Sequence, residues 1–416
     1  MKVLILSASD ISGGAARAAY RLHQGLQNLG TNSEMLVQSK STDDETVIAP
    51  EGTREKTVAK YRHSLDKLPI VLRRYQKVSE FSTQWFPDSV APKITQSKPD
   101  IINLHWINRG FLKIETIAKL KQPIVWTLHD MWPFTGGCHY DQECQQYIES
   151  CGGCPQLSSR QNSDLSHQIW NRKRLAWQDA NLTIVTPSNW LADCAKSSSL
   201  FKNSRVEVVP NGLDIRKYKP IDKGLARNIL NLPQDKKLIL FCSINATSAK
   251  RKGFELLQPA LQKLCKNGYQ DQFELVVVGA SHGNIAKGNN FEFTTHYQGK
   301  LSDDVTLALV YSAADVFVAP STQDNLPNTV MEALACGTPS VAFNIGGMAD
   351  LIEHQKNGIL VKPFNIDEFS AAIVWALEND ERHQNLCIAA RERVEKEFSH
   401  DLQAHRYQAL FESVIR

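Results

Sequence analysis

The sequence predicts an α/β protein of two doubly wound domains, parallel-sheeted, facing each other across a central cleft. Three observations predict it. Short apolar runs alternate with helical patterns along nearly all of the 416 residues. The runs are continuous rather than alternating, as parallel strands covered on both faces require. A Pro-Asn-Gly break at Pro210–Gly212 divides them into two series of βαβ units.

The first series opens with VLIL (Val3 to Leu6), a buried strand. A turn at Gly13 and Gly14 follows, then a helix with Ala15, Ala18, Ala19, Leu22 and Leu26 on one stripe. Gly30 stands where a helix ends in the left-handed conformation. EMLVQ, DIINLHW, PIVWTLH and LTIVTPS read as further strands. The second series begins after VEVVPNGLD. Its strands are KLILFCS, FELVVVGA, ADVFVAP, PSVAFN and GILVK. Between them lie the helix patterns GFELLQPALQKLC, DVTLALVYSA, NTVMEALAC and IDEFSAAIVWALEN. A charged, helical tail closes the chain. The stretch 131–180 breaks the rhythm: it is rich in Cys, Gly, Pro and polar residues and too long for an ordinary loop, so it reads as a functional insertion.

Composition removes other classes. The apolar share is 42% and the net charge only +3, which argues against a dedicated nucleic-acid binder. No apolar run approaches the ~20 residues that cross a bilayer, and MKVLILSASD is too short in its apolar part for a secretory signal. The nine cysteines then read as reduced thiols or metal ligands rather than a disulfide framework.

Four motifs carry chemistry. In SASDISGGAARAAYRL a strand runs through Gly13 and Gly14 into a helix, whose unpaired N–H groups suit a phosphate; a plain βα turn reads equally well. In ATSAKRKGFELL, Lys250, Arg251 and Lys252 follow a strand and could neutralise a diphosphate, or form a solvated basic turn. In APSTQDNLPNTVMEALACGTPSVAF, Asp324 falls in a loop and Glu332 inside a helix among apolar neighbours. A carboxylate in that company needs partners, and ligand hydroxyls would serve. In WTLHDMW, His129 ends a strand, where ligand-facing residues collect. His105 ends another, where a histidine satisfied within the structure is the simpler reading.

These motifs, with TPSNWL, VVPNGLD and GGMADLIEHQKNGILV, stand in the same order as in the family 4 retaining glycosyltransferases, and the chain resembles that family over nearly its full length. The resemblance implies a GT-B fold of two Rossmann-like domains. Residues 1–212 would form the acceptor-binding domain, with the insertion at about 131–180. Residues 213–395 would bind the nucleotide sugar, and 396–416 would form a helix returning to the first domain. It implies that Glu332 binds the donor ribose and that Asp324, usually Glu in the family, faces the donor sugar. Asn325 and Leu326 would lie near that sugar and the diphosphate. Lys252 would hold the diphosphate, Gly13 and Gly14 would approach it, and His129 would lie near the reacting sugar. The family often carries an arginine five or six residues before this lysine. Here Ala246 and Thr247 stand there, leaving Lys250 or Arg251 to substitute.

The expected chemistry is transfer of a sugar from a nucleotide-diphosphate sugar to a saccharide or lipid-linked acceptor, in polysaccharide or glycolipid assembly. Cations would stabilise the departing diphosphate, and no DxD-like metal motif is evident. A sugar-nucleotide epimerase of the same architecture and a degenerate nucleotide-sugar-binding protein are the alternatives. Cys138, Cys144, Cys151 and Cys154 (C-x5-C-x6-C-x2-C) could close a structural zinc site, or remain thiols. The basic, amphipathic segment 54–77 could rest on anionic membrane, or be a solvated helix face. The expected location is the cytoplasm, with peripheral contact at the inner face of the membrane.

Overall fold

The computed structural model describes residues 1–75, 80–244, 249–280, 293–301 and 303–416. Ala246 and Thr247, and the Gln76–Lys77 end of the basic segment, lie outside the described residues. The chain forms two compact units, Met1–Gly212 with Asp401–Arg416, and Leu213–His400.

The first unit holds a seven-stranded parallel sheet: β1 (Lys2–Ser9), β2 (Asn32–Ser39), β3 (Val47–Ile48), β4 (Ile101–Leu104), β5 (Ile124–Thr127), β6 (Leu182–Thr186) and β7 (Arg205–Val208). Their spatial order is β3-β2-β1-β4-β5-β6-β7. The continuous apolar runs have their explanation in the side chains of β1. Val3 and Ile5 pack on one face, with Leu22, Leu26, Tyr407 and Phe411. Leu4 and Leu6 pack on the other, with Trp126, Trp132 and Trp177. Both faces are covered, so the run from Val3 to Leu6 is apolar throughout. The final helix, His400–Ile415, belongs from Asp401 onward to this unit, with Tyr407 and Phe411 fully buried.

The second unit holds β8 (Lys237–Cys242), β9 (Phe273–Val278), β10 (Thr295–Tyr297), β11 (Val316–Ala319), β12 (Ser340–Phe343) and β13 (Gly358–Val361) in the order β10-β9-β8-β11-β12-β13, also all parallel. Leu238 and Leu240 of β8 face one core, Ile239 and Phe241 the other. The chain thus has the α/β GT-B fold.

The irregular stretch is shorter than expected. It runs through three single 3-10 turns, and from Leu165 to Trp177 the chain is an ordinary helix, N-capped by Asp164. The zinc reading finds no support. Among the described residues no group of three or more His, Cys, Asp or Glu stands where it could hold a metal ion. Cys138, Cys151 and Cys154 are instead buried in an apolar core with Phe134 and Leu157. Burial pushes the Cys151 thiol up to about 12 and raises those of Cys138, Cys144 and Cys154. Buried polar pins hold the loop. Lys173, fully buried, donates to the Trp132 and Thr135 carbonyls and sits 3.6 Å over the Trp132 ring. Asp164 accepts from the backbone N–H groups of Cys154 and His167 and from the Ser166 hydroxyl.

Candidate active site

In each unit the strand order reverses direction at one point, between β1 and β4 and between β8 and β11. Loops leaving the carboxyl ends of such strands diverge and leave a crevice, where ligands of open α/β sheets bind. Gly13, Gly14 and His105 of the first unit, and Lys250–Lys252 and Asp324 of the second, follow these strands; His129 follows β5, one strand further along.

In the second unit, Lys250–Lys252 form a single 3-10 turn after β8. Gly253 ends it at φ +72°, the left-handed region, and starts the helix Phe254–Lys266. A Cβ there would meet the Pro320 carbonyl oxygen at 1.8 Å, so only glycine lets this loop lie against the one leaving β11. The two loops are also joined by hydrogen bonds. The Thr322 N–H donates to the Arg251 carbonyl (2.9 Å), and the Arg251 guanidinium donates to the Gln323 carbonyl (2.8 Å).

Asp324 is the electrostatic centre. Its Oδ2 lies 2.5 Å from Lys252 Nζ and its Oδ1 3.2 Å from Arg251. Burial alone would raise its pKa, but Lys252 and Arg251 outweigh that and hold it at about 2. The backbone around it is crowded: the Gly347 N–H donates to its carbonyl, and a Cβ on Gly346 would meet that carbonyl at 1.8 Å. Asn325 and Leu326 follow, both buried. Glu332 is buried in the helix Asn328–Ala335, where Tyr311 donates its hydroxyl to Oε2 at 3.0 Å. Lys250 is exposed at the start of its turn. Arg251, rather than Lys250, therefore shares the acid with Lys252. The sequence alone does not show Tyr311 as a partner; its only signal is a tyrosine in the apolar half of the helix Asp304–Ala313.

In the first unit, Gly13 sits at φ +100° and precedes the helix Gly14–Asn28, whose first turn carries no acidic residue. Asp10 braces the adjoining loop by accepting from the N–H groups of Ser41, Thr42 and Ile11. His129 follows β5. Its Nε2 lies 2.9 Å from Nδ1 of His105, and the Nε2 of His105 lies 2.9 Å from Oδ1 of Asn103. His105 is thus satisfied within the structure, as the simpler reading had it, but through His129 itself. Burial pushes the His129 pKa down to about 4 and that of His105 well below its ordinary value. Asp130 faces a different task. It accepts from the Trp106 indole (2.7 Å), His139 (2.6 Å) and the Trp132 N–H (2.9 Å), and so anchors the cysteine-bearing loop.

Known proteins resemble this chain in sequence and in fold. Curated D-inositol 3-phosphate glycosyltransferases are similar. That of Paenarthrobacter aurescens is 26% identical over 283 residues, 66% of this chain and 63% of that protein. That of Segniliparus rotundus is 30% identical over 187 residues, 43% of this chain and 40% of that protein. The aligned part of the chain therefore spans between 40% and 63% of the length of these two relatives. Among solved structures, sucrose-phosphate synthase from Thermosynechococcus elongatus superposes with a TM-score of 0.70 at 18% identity, covering 100% of this chain and 99% of that one. The Anabaena protein HepE in complex with UDP and glucose superposes with a TM-score of 0.63 at 17% identity, covering 99% and 100%. At these identities the likeness is one of fold. Two family models match, "Glycosyltransferase Family 4" over residues 12–217 and "Glycosyl transferases group 1" over residues 222–393. Between them they take in nearly the whole chain, which belongs to the family 4, group 1 glycosyltransferases.

Proposed function

We propose that this protein is a retaining glycosyltransferase that moves a sugar from a nucleotide-diphosphate sugar to a saccharide or lipid-linked acceptor, in polysaccharide or glycolipid assembly. The observation that carries the reading is the cluster at the carboxyl ends of β8 and β11, where the half-buried Arg251 and Lys252 meet the buried Asp324. Glycosyl transfer leaves negative charge on a diphosphate, and preplaced cations stabilise it. In this reading Arg251 and Lys252 hold the diphosphate, with Arg251 in place of the arginine absent at 246–247, and Glu332 holds the ribose. Asp324, Asn325 and Leu326 border the sugar, Gly13 and Gly14 approach the phosphates, and His129 lies near the reacting carbon. Attack from the face that the diphosphate leaves, with the leaving oxygen taking the acceptor proton, would give retention without a protein nucleophile. The Anabaena protein HepE, solved with UDP and glucose, supports the donor class.

For the acceptor, the reading rests on a pocket in the first unit beside the helix Thr53–Asp66. It is lined by both apolar and cationic side chains, among them Leu36, Val58, Phe111, Arg54 and Lys93. The neighbouring surface exposes Tyr61, Val71 and Leu72 amid lysines and arginines. Such a face suits the cytoplasmic side of an anionic membrane. Arg62 lines the pocket but adds no charge to the exposed face, being buried and bonded to the Pro87 and Gly110 carbonyls. Among the described residues no helix is long and apolar enough to cross a membrane.

The first test is a thermal-shift panel of nucleotide sugars against their free nucleotides, since a bound ligand raises the melting point by mass action. A shift with one donor, followed by an NMR spectrum showing a product of retained anomeric configuration, is the expected result. Inverted product, or full transfer by Glu332→Ala, would refute the mechanism. Shifts without turnover would favour a nucleotide-sugar-binding protein, and turnover of the donor without any acceptor an epimerase. Sedimentation with phosphatidylglycerol vesicles that persists after Leu72→Glu and Val71→Glu together would refute the membrane contact.

A further inference from the structure

A line of buried polar groups crosses the first sheet, and its hydrogen bonds can be assigned one after another. Asn103 lies near the end of β4, opposite Val125 of β5. One polar atom of its carboxamide lies 3.0 Å from the Val125 carbonyl and 3.1 Å from Thr127 Oγ1. A backbone carbonyl can only accept, so that atom is the NH2 group. The other atom, Oδ1, can only accept and lies 2.9 Å from His105 Nε2. His105 must therefore carry its proton on Nε2. In a neutral imidazole Nδ1 is then an acceptor, and it lies 2.9 Å from His129 Nε2. His129 must donate there, which leaves its own Nδ1 unprotonated.

The alternative needs a charged His105 donating from both nitrogens. Asn103 is fully buried and His105 nearly so, and burial disfavours the cation on both histidines. The line continues the other way. Thr127 Oγ1 lies 2.8 Å from the Tyr407 hydroxyl, on the final helix. Tyr407 and Thr127 are both buried, so that helix braces the far end of the relay.

We propose that Asn103 and His105 are positioning residues that hold His129 as its Nε2–H tautomer, presenting Nδ1 as a hydrogen-bond acceptor. His129 can then take a hydrogen bond from a sugar hydroxyl but cannot serve as a general acid. The tautomer follows from the relay alone; its use in catalysis rests on the function proposed above.

The test begins with the full chain labelled with ¹⁵N-histidine. Two-bond ¹H–¹⁵N correlation spectra at neutral pH separate protonated from bare ring nitrogens, and His129→Gln and His105→Gln assign the two spin systems. The expected spectrum shows Nε2 protonated and Nδ1 bare in both rings. An Nδ1–H tautomer or an imidazolium at His129 would overturn the proposal without any assay of activity. The second arm is kinetic. His105→Leu removes the acceptor that faces His129, and kcat should fall about tenfold with KM changed less than about twofold, the scale of one lost hydrogen bond. In His105→Gln the carboxamide can donate to Asn103 and accept from His129, so kcat should recover to within about threefold of wild type. Equal losses in both variants, with the His129 tautomer unchanged, would overturn the positioning role. If no donor and acceptor pair is turned over while the spectrum is as expected, the relay stands and the proposed function fails.

Discussion

Replacing Asp324 by Asn separates two roles that its carboxylate plays at once. In the unliganded protein it is the counter-ion of Arg251 and Lys252. Its pKa falls from an ordinary 3.8 to about 2. At about 1.4 kcal/mol per unit, the carboxylate contributes roughly 2 kcal/mol to folding at neutral pH. Because the folded value is the lower one, that contribution is complete above pH 3.8 and is lost as the pH falls through about 2. Asn keeps the shape and removes the charge. At pH 7 the variant should melt roughly 4–8 °C lower, the scale for that loss in a domain of this size. The difference should shrink as the pH falls towards 2, where the wild-type carboxyl is half protonated.

The same substitution frees the two cations for a ligand. If they hold a diphosphate, a nucleoside diphosphate should bind the variant more tightly. The gain should be about tenfold, since part of the roughly 2 kcal/mol pairing no longer has to be given up. Transfer should fall, because the group bordering the sugar has changed. Calorimetric titration with the nucleotide that stabilises the wild type, beside melting curves at both pH values, makes the measurement. A variant that melts lower and also binds the diphosphate more weakly would refute the reasoning. It would show that Asp324 holds the cations in place rather than competing for them.

Three further outcomes follow from the geometry. Gly253→Ala should destabilise the second unit by several kcal/mol, since its Cβ would collide with the Pro320 carbonyl at a positive φ; urea denaturation with an unchanged midpoint would disprove the contact. Tyr311→Phe deletes the hydroxyl that donates to Glu332, and donor binding should weaken by about 1 kcal/mol, read as a Kd shift; an unchanged Kd would mean that Glu332 needs no such support. Burial holds the Cys138, Cys151 and Cys154 thiols protonated, so at pH 8 they should react with an aromatic disulfide reagent only as fast as the protein opens. Rapid reaction of all three in native protein would contradict that burial.

The fold was legible because burial on both faces leaves a strong mark: a continuous apolar run bounded by turns. The strands that escaped notice lack that mark. β3 spans two residues, β10 reads THY, and β7 carries Arg and Glu on a partly exposed edge. Motif residues close in sequence were legible for the same reason, because loop and helix periodicity place them. Contacts across long separations were not. Lys252 and Asp324 are 72 positions apart, as are Arg251 and Gln323, and nothing local ties either pair. The cysteine spacing left zinc and plain thiols open because spacing counts residues, whereas metal binding needs thiolates converging on one point. Here the thiols share a core with Phe134 and Leu157. In the basic segment, charge counting cannot see that Arg62 turns inward to two carbonyls.

The two sheets also explain why the candidate residues lie where they do. A parallel sheet must route each connection over one face or the other, and where the route changes face, between β1 and β4 or between β8 and β11, two neighbouring loops part. The strand ends there are left uncovered, and polar groups can be placed at them at little cost to the core. In the second unit the parted loops are drawn back together by Gly253 against Pro320 and by Gly346 against Asp324, contacts that any side chain would forbid. In the first unit the relay from Asn103 to His129 instead ties the end of β4 to that of its other neighbour, β5. Backbone packing fixes the charged groups and hydrogen bonds fix the histidine. Glycine substitutions should therefore disable the second unit by displacing whole loops, while polar substitutions at Asn103 or His105 should leave the first sheet in place and change only how its histidine is protonated.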